Sequence, residues 1–355
     1  MHPSRNQRHE RVRQLQNLPK EPSIIPIGVV GLGLMGTSIT TCLLAAGHPV
    51  IATDRDLAKC RAARRRVLKF LAEMRKEGLF RNEPKRIIQR FKIARSYSLL
   101  KDCEVVLECI YENVKAKRKV IRQIEKVVHP SAIIGSNTSG TPITDLQAGA
   151  RHPGRILGIH WAEPAHITRF MEIICGDKSD HLSAQRIQIL SRRWGKEASI
   201  LCRDIRGFIS NRCMYALLRE AFYLVESGYA TVADVDRSLR NDLGYWITFC
   251  GPFRFMDLTG IPAYESVMRD LLPELSRSTK VPDTIHRIVK AGGRGTANNI
   301  GFYPYTPSEA RRWEEGFIRF SYDIRALAQE YPEKSAMIER SRPAQRRVSV
   351  RRGPY

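Results

Sequence analysis

The strongest constraint on this chain lies in Ile27-Gly-Val-Val-Gly31-Leu32-Gly33-Leu34-Met35-Gly36-Thr-Ser, followed eighteen residues after Gly36 by Asp54. The run reads as a buried strand, a tight glycine turn and the start of a helix. In that geometry Gly31 permits the turn, Gly33 lets backbone approach a pyrophosphate, and Gly36 lets the helix pack closely on the strand. The helix N-terminus offers free N–H groups and the positive end of its dipole to phosphates. Residues 50–54, Val-Ile-Ala-Thr-Asp, supply a second strand ending in an acid where a ribose presents its hydroxyls. A lone glycine triplet is weak evidence. With the strand before it, an apolar helix over 39–46 after it and the acid at this distance, it predicts a dinucleotide site that includes Leu32, Leu34 and Met35. The Asp54 carboxylate repels a 2′-phosphate, which favours NAD over NADP, although Arg55 beside it pulls the other way.

At 355 residues the chain is long enough for two domains. There is no apolar run of eighteen residues, so no membrane partner is expected. Residues 1–23 are basic and polar, with Arg5, Arg8, Arg11 and Arg13, and read as a disordered leader rather than a secretory signal. The eight cysteines form no Cys-x-x-Cys pair and several sit inside apolar patterns. They read as reduced thiols of a cytoplasmic protein, with no disulfide frame and no metal site. The net charge of +23 has a location: 55–95 carries fifteen Lys/Arg against four Asp/Glu, and 331–355 seven against two. A tail of that kind binds polyanions non-specifically or is simply solvated. The second reading is preferred, and nucleic acid is not expected as a partner.

Strands are predicted over 24–30, 50–53, 105–110, 132–136, 156–160, 171–174 and 200–202. Helices are expected between them over 37–46, 57–77, 83–90, 113–128, 143–147 and 184–194. Apolar strands alternating with helices predict a Rossmann-type, mostly parallel α/β sheet covered on both faces, over 24–205. From 206 to 330 the pattern is helical only: 211–226, 233–239, 253–272 with a Gly-Ile-Pro interruption, 282–290 and 309–329. That predicts a second, all-helical domain, followed by a disordered basic tail over 331–355.

Several blocks occur in order that resemble the L-3-hydroxyacyl-CoA dehydrogenase family. They are the glycine loop; Val106-Leu-Glu-Cys-Ile-Tyr-Glu112-Asn-Val-Lys-Ala-Lys117; Ser136-Asn-Thr-Ser139; Gly158-Ile-His160; Phe170-Met-Glu172; Gly207-Phe-Ile-Ser-Asn211-Arg; Gly251-Pro-Phe-Arg-Phe-Met-Asp257; and Gly301-Phe-Tyr-Pro-Tyr305. The resemblance spans roughly 24–306 and implies NAD-dependent oxidation of a (3S)-3-hydroxyacyl thioester of coenzyme A by a homodimer whose helical domain forms the interface.

The chemistry is also legible in the residues. Removing hydride from a secondary alcohol requires a base for the hydroxyl proton, and His is the side chain best suited near neutral pH. His160 ends a predicted strand, the edge at which open α/β sheets bind ligands. Glu172 would hold one ring nitrogen and stabilise the imidazolium, a base-plus-orienter pair without a covalent nucleophile. By the resemblance, Ser139 hydrogen-bonds the substrate oxygen and Asn211 contacts substrate and positions the base; read alone, either is also a plausible helix cap. Glu112 and Lys117 match positions that contact the nicotinamide half of NAD, with Asn137 near them; a solvated helix start is the plainer reading of the two charges. On the basic helix over 57–77, Arg64, Arg65, Arg66 and Lys69 either pair with coenzyme A phosphates or form a solvated face.

Three departures from the family pattern stand out. The usual His-Phe-Phe-Asn-Pro is His160-Trp-Ala-Glu163-Pro here, which adds negative charge beside the base and would repel an anionic substrate or recruit a cationic one. A frequent lysine is replaced by Ala297, and a frequent Glu by Arg254. The second expectation is therefore a free 3-hydroxy acid or a carnitine-like substrate handled by the same site.

Overall fold

The computed structural model describes residues 22–331, so the expected leader and tail lie outside the described residues except at their inner ends. Eight strands form one sheet: β1 (Ile27–Val30), β2 (Val50–Thr53), β3 (Phe91–Ile93), β4 (Val105–Glu108), β5 (Ile133–Ser136), β6 (Ile156–Trp161), β7 (Phe170–Cys175) and β8 (Glu197–Leu201). Their order is β3-β2-β1-β4-β5-β6-β7-β8, and every neighbouring pair is parallel except β6 and β7. Every residue of β1, β4, β5 and β6 is buried, because helices cover both faces. These are α1 (Leu34–Ala45), α2 (Leu57–Lys76), α3 (Pro84–Ile87), α4 (Val114–Glu125), α5 (Ile143–Gln147) and α6 (His181–Arg193).

The order reverses between β1 and β4, so the crevice at the carboxyl ends of these two strands is the topological switch point, where such sheets bind ligands. Register aligns those ends: Val30 lies beside Thr53 and Glu108, Glu108 beside Ser136, and Ser136 beside Gly158. The edge strand β3 departs from expectation. It is three residues long, with only Phe91 buried, so no periodicity marks it.

Beyond the sheet come α7 (Ser210–Glu226), α8 (Val232–Asn241), α9 (Leu243–Thr259), α10 (Ile261–Leu271), α11 (Asp283–Lys290) and α12 (Pro307–Glu330). Within α9, Gly251 (φ 70°, ψ 172°) leaves the helical region and, with Pro252, separates two helical segments; the helix expected from 253 is the second of them, and the segment before Gly251 is additional. The described residues divide into two compact units, 22–232 with 275–322, and 233–274 with 323–331. Among the described residues from 209 onward, only Val235, Ala310 and Tyr322 are buried. Large apolar side chains such as Tyr245, Phe253 and Leu258 stand exposed in the second unit. None of the described helices is long and apolar enough to cross a membrane.

Candidate active site

The glycine loop joins β1 to α1. Gly31 turns through φ +104°, and a Cβ there would lie 2.6 Å from the Cys109 carbonyl oxygen. A Cβ on Gly36 would lie 1.8 Å from the Gly31 carbonyl oxygen. Both glycines are thus required by the protein's own backbone. Gly33 is different: a Cβ there would meet no protein atom within 4 Å. Nothing inside the protein calls for glycine at that position, whereas a pyrophosphate lying against the backbone does. Gly33 caps α1 without a side-chain hydrogen bond, and the first turn holds no acid, so the helix N-terminus is left to an anion.

Asp54 follows β2 and braces this loop. Its Oδ2 accepts the Leu32 N–H at 2.7 Å, while Oδ1 accepts the Asp56 N–H at 2.8 Å. Arg55 extends over the Tyr111 ring, 5.7 Å from its centroid. The loop glycines, the open space at Gly33 and the acid at the end of β2 together fit a dinucleotide.

His160 and Glu172 are directly opposed in the antiparallel pairing of β6 and β7. Cross-strand partners of this kind hold their side chains within reach of each other. His160 Nδ1 lies 3.0 Å from Glu172 Oε2, and both side chains are almost wholly buried. A carboxylate only accepts, so Nδ1 carries the proton and donates, which leaves Nε2 as a free base. Glu172 Oε1 in turn accepts the backbone N–H groups of Ile209 (3.1 Å) and Ser210 (2.9 Å) at the start of α7. Those bonds anchor the second carboxylate oxygen to the first turn of the helix. Phe170 and Phe208 pack against the imidazole, with ring centroids 5.4 Å and 5.6 Å away. Gly207 (φ 83°) and Phe208 (φ 55°) turn the chain between β8 and α7.

The remaining expected residues gather next to this pair. Asn137 Oδ1 accepts the Trp161 N–H at 2.9 Å and so fixes the end of β6 beside His160. Asn211 donates through Nδ2 to the Ser139 carbonyl at 2.6 Å, joining the start of α7 to the loop after β5. Glu112 Oε1 accepts the Thr138 hydroxyl at 2.7 Å and the Ser139 N–H at 2.6 Å.

Lys117, expected to contact the cofactor, is instead wholly buried. Its Nζ donates to Glu108 Oε1 (3.0 Å) and Oε2 (3.2 Å) and to the Ile110 carbonyl (3.2 Å), with Glu112 Oε2 at 3.5 Å. Glu108 also accepts the Ser136 hydroxyl at 2.5 Å and the Ile110 N–H at 2.7 Å. Sequence reasoning assigns no role to this fully buried acid. Its signal was a carboxylate inside the apolar run 105–110, nine residues before a lysine on the next helix. Arg65 and Lys69 stay exposed along α2, with Arg66 half-buried, and the structure does not bring them into contact with His160, Ser139 or Asn211. Lys69 pairs with Glu73 at 3.8 Å, and Arg64 donates to the Phe91 carbonyl at 3.4 Å. Glu163 is exposed in the segment after β6.

Two family profiles match the chain: 3-hydroxyacyl-CoA dehydrogenase, NAD binding domain, over residues 26–205, and 3-hydroxyacyl-CoA dehydrogenase, C-terminal domain, over residues 207–305. The chain is 32% identical to a 5-formyl-3-hydroxy-2-methylpyridine 4-carboxylate 5-dehydrogenase of Mesorhizobium japonicum, over 80% of this chain and 92% of that one. It is 30% identical to a probable 3-hydroxybutyryl-CoA dehydrogenase of Bacillus subtilis, over 79% and 96%. Among solved structures it superposes with a TM-score of 0.81 on a 5-formyl-3-hydroxy-2-methylpyridine 4-carboxylic acid 5-dehydrogenase described as an NAD+-dependent dismutase, at 29% identity, covering 87% of this chain and all (100%) of that one.

Proposed function

The chain belongs to the 3-hydroxyacyl-CoA dehydrogenase family and is an NAD-dependent oxidoreductase, and on that premise we propose that it oxidises a (3S)-3-hydroxyacyl-CoA to the 3-oxoacyl-CoA with His160 as general base. The observation that carries this reading is the His160–Glu172 pair, opposed across β6 and β7 and locked to the start of α7. The cofactor, when bound, supplies the hydride acceptor. His160 Nε2 takes the hydroxyl proton, and Glu172 stabilises the imidazolium that results. Ser139 orients the substrate oxygen, and Asn211 holds the Ser139 loop through its carbonyl. The Gly33 backbone and the N-terminus of α1 receive the pyrophosphate, and Asp54 meets the adenosine ribose. Glu112 lies beside the nicotinamide, positioned from below by Lys117.

A second substrate class has its own support. Glu163 stands exposed where the family pattern has an amide, and the relative at 32% identity is named for a pyridine carboxylate rather than a thioester. These two features favour a free hydroxy acid, or a carnitine-like cation attracted by Glu163, at the same base.

The apolar surface exposed from residue 209 onward supports a homodimer built through these helices. The test of function is NADH formation with (3S)-3-hydroxybutyryl-CoA, a long-chain 3-hydroxyacyl-CoA, free 3-hydroxybutyrate and carnitine, for wild type and His160→Ala. Thioester turnover that collapses in the variant supports the first reading. Turnover confined to the free acids or carnitine supports the second, and equal turnover by wild type and variant removes His160 as the base.

A further inference from the structure

Between β6 and β7 runs the segment 162–169, which leads directly from the end of the strand bearing His160 to the strand bearing Glu172. It is short, polar and carries Glu163, yet its centre (Ala165, His166 and Ile167) is buried. His166 makes side-chain contacts there. Its backbone N–H donates to Ser38 Oγ at 3.0 Å, and its ring Nδ1 lies 2.7 Å from the same oxygen. The short contact between Oγ and Nδ1 is a hydrogen bond in either imidazole tautomer, with Oγ–H donating to Nδ1 or Nδ1–H donating to Oγ. Nε2 is buried without a hydrogen bond, with Glu73 Oε2 at 3.9 Å. The ring stacks face to face on Phe70, with centroids 4.2 Å apart and planes 19° from parallel.

Ser38 and the two α2 residues give these contacts their functional bearing. Ser38 lies on α1, two residues past Gly36, on the helix whose N-terminus faces the dinucleotide site. Phe70 and Glu73 lie on α2. One histidine therefore ties the segment that follows the base to the cofactor helix and to the basic helix. On its other flank Lys196, itself buried, donates to the carbonyls of Ala165 (2.6 Å) and Thr168. The groups facing the imidazole are thus a distant carboxylate on one side and a lysine cation near the other, and burial together with that cation keeps the ring neutral.

We infer that His166 is a positioning residue for hydride transfer: by engaging Ser38 it sets segment 162–169, and with it the end of β6 carrying His160, against the cofactor helix. The inference rests on the reading of His160 as the base. Errors of about 1 Å in such placement cost on the order of 100-fold in rate.

Three variants of the full chain test it. His166→Phe keeps the stack on Phe70 and removes the hydrogen-bond partner of Ser38. Ser38→Ala removes the partner. His166→Asn restores a hydrogen-bonding amide near the position of Nδ1. His166→Phe and Ser38→Ala are expected to lower kcat by about 10- to 100-fold, while the Kd for NADH, read by its fluorescence, moves less than about threefold. His166→Asn is expected to recover most of the loss. Unchanged kcat in His166→Phe would overturn the inference, as would a loss that follows NADH affinity in step.

A second readout does not depend on knowing the substrate. The ring nitrogen resonances of His160, assigned with His160→Gln, are expected to shift in Ser38→Ala. If they stay where they are in wild type, the inference fails even should the dehydrogenase reading hold. If they shift in a protein that turns over none of the substrates, the coupling stands and the functional reading fails instead.

Discussion

Glu172 divides its carboxylate between two duties: one oxygen accepts from His160 Nδ1 at 3.0 Å, the other from two N–H groups at the start of α7. The first duty fixes the tautomer and steadies the imidazolium, and the second anchors the acid in a site from which water is nearly excluded. Glu172→Gln keeps the shape and an acceptor but removes the charge. Its kcat is expected to fall by about 100-fold or more, in the range assigned to positioned acid–base groups. NADH affinity is expected to remain within about threefold, because no phosphate or ribose contact changes. Single-turnover kinetics beside NADH titration would separate the two, and a variant with wild-type kcat would dismiss the dyad.

The buried Glu108–Lys117 pair gives a stability prediction. Both side chains are fully inaccessible, and each is the other's main charge partner. Lys117→Met leaves Glu108 buried without its cation, which typically costs about 3–5 kcal/mol. For a sheet domain of this size that lowers Tm by roughly 10 °C. The double variant Glu108→Gln, Lys117→Met is expected to regain most of the loss, because no unpaired charge remains. A thermal melt of the two variants decides the matter, and equal Tm values for single and double variants would contradict it.

Gly33 and Gly36 lie in one loop but answer to different causes. Gly36→Ala drives a Cβ into the Gly31 carbonyl, so both folding and NADH binding are expected to suffer. Gly33→Ala meets only open space. Its Tm without cofactor is expected to stay within a few degrees of wild type, since glycine-to-alanine exchange at a helix cap costs at most about 1 kcal/mol. NADH affinity should nevertheless drop at least about tenfold, because the methyl occupies the approach to the pyrophosphate. Differential scanning fluorimetry with and without NADH reads both quantities, and undiminished affinity in Gly33→Ala would move the phosphate site elsewhere.

What the sequence could convey here follows from the range of each interaction. The glycine loop and the apolar strands are local signals, so Gly31, Gly33, Gly36, Asp54 and strands β1, β2, β4, β5 and β6 are legible within a few residues of text. The His160–Glu172 pair is legible as two motifs, but their direct opposition is not, because it depends on β7 running antiparallel to β6 in an otherwise parallel sheet. Strand β3 offers three residues, one of them Lys92, and no alternation. Glu108 is hidden for another reason: a carboxylate at the end of an apolar strand looks like a strand terminus until Lys117 is seen to fold back over it. His166 reads as one more polar residue in a connecting segment, since its partners Ser38 and Phe70 are separated from it by about a hundred residues of chain.

His166 also sets a pH dependence of stability. Burial, aided by the nearby Lys196 cation, pushes its pKa from 6.5 down to about 4 in the folded protein. Between those values the unfolded chain binds a proton there and the folded chain does not. The histidine's stabilising contribution is therefore complete above pH 6.5 and declines as the pH falls toward 4. The full span is worth on the order of 3 kcal/mol for a group this buried. His48, also buried and shifted downward, adds a contribution of the same sign, so a single melting curve cannot isolate His166. A comparison can. His166→Phe retains the stack and cannot titrate, so wild type and variant should differ most near pH 7 and converge as the pH is lowered toward 4.5. Thermal melts of both proteins at half-unit steps across that interval provide the measurement. Parallel curves would mean that folded and unfolded chains bind a proton at His166 equally across the interval, and so that burial does not depress its pKa.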